Sequence, residues 1–210
     1  PKPNVVFVLG GPGTGKGTMC ELAETQLGWT HLSSGNLLRA ERHAGGPNAD
    51  IIEAFMAAGK LVPNEITVAL LKHAMEKAIR KTGKKNFLVD GFPRSLTNLE
   101  GWYEIFGRDV ELPKILYFTC PYAVLEKRIL GRASYTGRCD DNVESLKLRI
   151  DTFEAETLPT VELFKSKNKC VEIDTSQDRP TVYALVGNNL AEHTDRKLAG
   201  YLSFDLRLLC

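Results

Sequence analysis

Five short stretches, residues 5–9, 29–32, 87–89, 115–118 and 171–173, are almost continuously apolar and stop near turn or acidic residues. A strand covered on both faces reads this way, because neither of its sides meets water. Between them, longer stretches read as helices: 16–27, 35–42, 49–58, 63–81, 96–106, 122–130 and 142–166, with a weaker one over about 179–192. Strand and helix alternate, which predicts an α/β fold with a five-stranded parallel sheet, right-handed crossovers and helices on both faces. Pro63 suits a first helical position, where its missing N–H is no loss. Asp141 with Glu144 three residues later resembles a capping box opening the long helix of 142–166.

Composition narrows the class. The 210 residues fit one ordinary domain, able to bury its core without disulfides or metals. A hydrophobic share of 43% and a charged share of 25% are ordinary for a soluble globular protein, and no apolar run approaches a membrane span. The formal charge of +1 gives no global basic field for a nucleic acid polymer, so any anion site must be local. Only Pro1, Lys2 and Pro3 precede the first strand-like run, so no leader is expected and a cytoplasmic address is the default. The five cysteines stand singly, without zinc-ligand spacing, and read as thiols in a reducing compartment.

The clearest chemistry lies in VFVLGGPGTGKGTMC, residues 6–20. A bare G-x-x-x-x-G-K arises by chance too readily to stand alone. Here Gly10, Gly11, Gly13, Gly15 and Gly17 crowd between a strand and a helix, whereas a tight turn without a ligand needs one or two glycines. Successive backbone N–H groups in such a loop can point at one anion, and the helix N-terminus adds positive charge. Lys16 would then sit against the terminal phosphates. Asp90 closes the strand NFLVD and either caps a turn or holds the water shell of a magnesium ion on the phosphates; opposite Lys16 the metal reading is the stronger. Arg39, Arg94, Arg132, Arg138 and Arg149 fall at loops or helix ends near the expected carboxyl edge of the sheet. Any one of them could be a surface ion pair. Five suggest a cluster facing more phosphate than one triphosphate carries.

GGPGTGKGT, HLSSGNLLR (31–39), GKLVPNEIT (59–67), DGFPR (90–94) and GRCDDN (137–142) occur in the order and spacing of the nucleoside monophosphate kinases. Over about residues 4–192 the chain resembles a short-lid member of that family, on its UMP/CMP kinase branch. The resemblance implies a P-loop core (1–33, 64–130 and 142–192), a helical acceptor-binding arm (34–63) and a short lid (131–141), with the tail 193–210 unplaced. It implies transfer of the γ-phosphoryl group of MgATP to a nucleoside monophosphate by an enzyme expected to work as a monomer. Thr18 takes the hydroxyl role that other P-loops give the residue after the lysine, and is a second candidate for the metal beside Asp90. By the same resemblance Gly13, Thr14, Gly15, Lys16, Gly17, Thr18, Arg128, Arg132 and Gln177 hold ATP. Ser34, Arg39, Lys60, Leu61, Val62, Gly91, Phe92, Pro93, Arg94, Asn98, Arg138 and Arg149 hold the acceptor. Lys16, Arg94, Arg132, Arg138 and Arg149 would bear on the transferring group. Lid closure would bring Arg132 and Arg138 there, and a lid with one cysteine cannot form the four-ligand zinc site of some bacterial adenylate kinases.

The attacking oxygen would belong to an ionised phosphate, so positioning and positive charge suffice without a general base. His31, His43, His73 and His193 are accordingly read as structural or solvated. Asn98 sits in SLTNLEGW, whose N-L-x-G-W matches the UMP/CMP kinases, where adenylate kinases usually carry glutamine. An amide that can turn over would read cytosine in one orientation and uracil in the other. CMP and UMP, with dCMP, are therefore the expected acceptors. Ser34 stands where adenylate kinases usually carry threonine and UMP/CMP kinases alanine, which leaves base preference partly open; Asn36 replaces an acid. An adenylate kinase is the second reading, and a non-catalytic nucleotide-binding regulator the third. A GTPase switch fails, because Asn168 and Lys169 are followed by Cys170 and Val171 rather than completing N-K-x-D.

Overall fold

The structure is a computed structural model that describes residues 2–136 and 143–191, the side chains of 132–136 excepted. Five strands, β1 (Asn4–Gly10), β2 (Thr30–Ser33), β3 (Asn86–Asp90), β4 (Ile115–Thr119) and β5 (Cys170–Asp174), pair in parallel in the order β2-β3-β1-β4-β5. The intervening helices are α1 (Lys16–Leu27), α2 (Ser34–His43), α3 (Ala49–Ala57), α4 (Asn64–Thr82), α5 (Leu96–Phe106), α6 (Tyr122–Thr136), α7 (Val143–Thr152), α8 (Leu158–Ser166) and α9 (Arg179–Ala191).

β1 shows why its run is apolar throughout. Val5, Phe7 and Leu9 join a layer with Phe92, Trp102, Leu71 and Val161, while Val6 and Val8 join the opposite layer with Met19, Trp29, Ile173 and Val186. Each such side chain contributes roughly 1.5–3 kcal/mol on burial. Trp102 anchors the first layer, edge-on to Phe7 at 5.0 Å and stacked on Phe106 at 4.0 Å. A third, smaller cluster of Leu38, Ile52 and Val62, with Phe55 and Met56 against it, belongs to α2, α3 and the segment leading into α4.

The topology places the site. From β1 the chain passes to the outer strand β2, returns to β3 beside β1, then crosses to β4 on β1's other side. Where strand order reverses, a crevice opens at the carboxyl ends of the strands. Register sets Ser33 opposite Asp90 and Asp90 opposite Val8, while β1 runs on to Gly10 opposite Phe118.

Three boundaries differ from the sequence reading. Pro63 is the N-cap of α4 rather than its first helical residue. α6 does not stop at residue 130 but continues to Thr136, through the first part of the expected lid. One glycine, Gly131, costs a helix only about 1 kcal/mol and does not end it. The single helix expected over 142–166 is α7, a π-helical turn (Phe153–Thr157) and α8. Pro159 accounts for the interruption, since in a continuous α-helix it could not donate to the carbonyl of Ala155 and its ring would clash there. Asp141, half of the expected capping box, lies outside the described residues.

Candidate active site

The loop after β1 is shaped by close approach. Gly10 has φ 151°, and a Cβ on it would lie 2.6 Å from the carbonyl oxygen of Phe118. Gly15, φ 85°, is the N-cap of α1 and, having no side chain, offers no cap to the N–H groups of that helix's first turn. Ser33 and Ser95, in contrast, cap α2 and α5 by accepting from the backbone N–H of Asn36 and Asn98. α1 therefore presents a bare N-terminus, with its partial positive charge, to the crevice.

Lys16 lies across this loop. Its Nζ donates to the carbonyl oxygens of Gly10 at 2.7 Å and Gly11 at 2.8 Å and to Thr14 Oγ1 at 3.3 Å. Burial lowers its pKa to about 8; Asp90 pulls it back up, and the charges of Arg94 and Arg149 push it down further. Asp90 itself is 7% exposed. Burial alone would raise its carboxyl, but His31, Lys16 and Arg94 together outweigh that and hold it below the usual carboxylate range.

His31, read from the sequence as structural or solvated, lines the larger of the two cavities of this site. Its Nε2 lies 3.5 Å from Asp90 Oδ2 and has no other polar partner among the described residues. At that length the contact is electrostatic more than a formed hydrogen bond. Glu24 Oε1 fixes the backbone by accepting from the His31 N–H at 3.0 Å. His31 opens the stretch HLSSGNLLR, and the pairing of β2 with β3 brings its ring to the acid.

Two cavities open on the crevice, and Lys16, Gly35, Arg39, Arg94 and Arg149 line both. Gly35 lies against the guanidinium groups: a Cβ there would come within 3.3 Å of Arg39 Nη2 and 3.5 Å of Arg94 Nη2. Arg94 Nε donates to the Gly91 carbonyl at 2.6 Å, and Arg39 Nη2 to Asn36 Oδ1 at 2.6 Å. With a neutral amide at position 36, the Arg39 charge is not cancelled by that partner.

The larger cavity is lined by Gly13, Thr14, Gly15, Gly17, Thr18, His31, Asp90, Arg128 and Gln177. Arg128 is held there by donating from Nη2 to the Thr175 carbonyl at 2.7 Å. Ser34, Lys60, Leu61, Val62, Gly91, Phe92 and Asn98 line the other cavity, with Met56, Gly59, Thr152, Phe153 and Thr157. The π-helical turn supplies much of that far wall. Thr152 Oγ1 donates to the Gly59 carbonyl at 3.0 Å, and Thr157 Oγ1 to the Arg94 carbonyl at 2.8 Å. Such turns recur at functional sites because they re-aim side chains without ending the helix.

Ser34 Oγ donates to the carbonyls of Asp90 and Gly91, at 3.1 and 2.8 Å, so its hydrogen is spent on the turn. Asn98 Oδ1 accepts from the Arg94 N–H at 3.1 Å, and Nδ2 donates to Asn64 Oδ1 at 3.4 Å. The amide is thus not the freely reversible reader expected from its sequence. Turning it over would set two donors face to face at Arg94, so the backbone N–H there fixes the orientation; the Asn64 amide can turn to match either one.

The site assignments otherwise fall together, with three exceptions. Pro93 is buried and lines neither cavity. Arg132 lies on α6 with its side chain outside the described residues, and Arg138 lies outside them altogether. Residues the sequence reading left without a site role include His31, Gly35, Asn64, Thr152, Phe153 and Thr157; the first three lie within the stretches 31–39 and 59–67, and for the last three the local signal is Pro159 within an apparent helix.

Comparison with known proteins agrees with this geometry. A family model described as adenylate kinase matches residues 8–169. UMP-CMP kinase of Mus musculus is 42% identical over 187 residues, covering 88% of this chain and 95% of that protein. UMP-CMP kinase of Homo sapiens is 42% identical over 184 residues (87% and 94%), and that of Danio rerio 43% over 191 residues (90% and 97%). A chain whose P-loop, paired cavities and shared cationic junction carry this much likeness belongs to the adenylate kinase family and is an ATP-dependent nucleoside monophosphate kinase.

Proposed function

We propose that the chain transfers the γ-phosphoryl group of ATP to pyrimidine nucleoside monophosphates, CMP, UMP and dCMP. The observation that carries this reading is the pair of cavities meeting at Lys16, Arg39, Arg94 and Arg149. The larger takes the triphosphate along the loop of residues 10–18, with its adenine toward Thr175 and Gln177. The other takes the monophosphate, its phosphate toward the arginines and its base toward Ser34 and Asn98. The attacking oxygen is already ionised, so the residues at the junction need only align it with the γ-phosphorus and neutralise charge that spreads over the transferring oxygens.

The family's magnesium fits the larger cavity. Asp90 is ionised, ends β3 on its wall, and faces Gly17, where a Cβ would come within 3.8 Å of Oδ2; Thr18 lines the same wall. Magnesium keeps most of its waters and takes few protein oxygens, which suits a site of one carboxylate and one hydroxyl. Bound there it would screen the donor's phosphate charge.

The pinned amide suits either pyrimidine, and the room beside it decides against a purine. Asn98 keeps a second Nδ2 hydrogen, and cytosine N3 and uracil O4 both accept from such a donor without reorientation. A purine would need more room than a single ring, and misfit polar edges are costly. Relatives at 42% identity bear the name UMP-CMP kinase, which supports the same choice. With MgATP as donor and CMP, UMP, dCMP, AMP and GMP as acceptors, kcat/KM for CMP and UMP is expected to exceed that for AMP and GMP by about tenfold or more. AMP used as well as CMP would replace the proposal by an adenylate kinase; no transfer to any would favour a nucleotide-binding regulator.

A further inference from the structure

We infer that Asn64, the first residue of α4, is a positioning residue for acceptor binding: it holds the Asn98 amide so that an N–H faces the acceptor base. The inference rests on reading the smaller cavity as the pyrimidine nucleotide site. Asn98 is 6% exposed and bonded at both ends, its oxygen to the Arg94 N–H and its nitrogen to Asn64 Oδ1. Arg94 fixes where the carbonyl lies. Asn64, in a long contact of 3.4 Å, biases the amide plane and with it the direction of the second Nδ2 hydrogen. That hydrogen belongs to a residue on the cavity wall, where an acceptor atom of a base edge can take it.

A second feature points the same way. Gly101 lies one turn beyond Asn98 on α5, and a Cβ on it would collide with Asn64 Nδ2. The glycine therefore makes the space in which the Asn64 amide reaches Asn98. Thr157 Oγ1 closes the series by donating to the Arg94 carbonyl at 2.8 Å. The start of α4, which follows the Lys60–Val62 backbone, is thereby linked through Asn98 to the arginine expected to grip the acceptor phosphate.

Steady-state kinetics on Asn64→Leu, Asn64→Asp and Gly101→Ala test the inference, with thermal midpoints confirming folding. Leucine keeps the approximate size and removes the acceptor; aspartate keeps the acceptor and suits a helix N-terminus. Asn64→Leu and Gly101→Ala are expected to raise KM for CMP and UMP about threefold to tenfold, with kcat within about twofold and KM for ATP unchanged. Asn64→Asp is expected to restore the acceptor KM to within about twofold of wild type. An unchanged acceptor KM in Asn64→Leu, an equal rise for ATP, or no rescue by aspartate would overturn the role. The wild-type acceptor panel decides the pyrimidine reading separately: if AMP were the acceptor, the same variants measured on AMP would still decide the role of Asn64, and no transfer to any acceptor would overturn both.

Discussion

Arg94→Ala is expected to lower kcat/KM for the acceptor by about 10³-fold while the fold survives. The guanidinium lies where both cavities meet, with Nε anchored on the Gly91 carbonyl, and its removal takes a fixed positive charge from the acceptor phosphate and the transferring group. Two bonds at this position are made by the backbone: the N–H to Asn98 Oδ1 and the carbonyl from Thr157 Oγ1. Alanine retains both and gives up the side-chain bond to Gly91. Kinetics with CMP and ATP varied in turn, beside a thermal melt, check this; a loss below tenfold, or a collapse of the melting transition, would contradict the assigned role.

Lys16→Met should separate activity from stability more sharply. The lysine charge is held among Arg94 and Arg149 and partly removed from water, so its pKa in the fold is about 8. An unfolded lysine titrates near 10.5, so the unfolded chain binds the proton more tightly. The fold is therefore penalised at neutral pH, and stability should rise as pH climbs from about 8 toward 10.5. Methionine removes that penalty and also removes the donor to the phosphates. Relief of that penalty is offset by the lost bonds to Gly10, Gly11 and Thr14, so at pH 7 the variant is expected to melt within a few degrees of wild type while kcat falls by about 10²- to 10³-fold. A fall below tenfold would show that phosphate charge is borne elsewhere.

Much of this site was legible from residues 6–20, because a glycine cluster between an apolar strand and a helix has few uses other than backbone contact with an anion. The sheet was legible for a related reason: Val5 to Leu9 must satisfy two cores at once, and only a doubly covered strand does so. What escaped depends on side chains that meet across long sequence separations. His31 reaches Asp90 through the pairing of β2 with β3, and Asn64 reaches Asn98 through α4 lying against α5. The supposed freedom of the Asn98 amide failed for the same reason, since its partners lie on Arg94 and Asn64. Pro159 was the one overlooked local clue; its missing N–H accounts for the π-helical turn that carries Phe153 and Thr157 onto the cavity wall.

Adenosine and cytidine joined 5′ to 5′ through five phosphates offer the most direct test that one nucleotide occupies each cavity with their phosphates meeting at Lys16 and the arginines. Calorimetry and inhibition kinetics are expected to show one molecule bound per chain, competitive with both ATP and CMP, and held about 10²-fold or more tighter than either nucleotide. Two molecules per chain, or competition with only one of the two substrates, would contradict that arrangement.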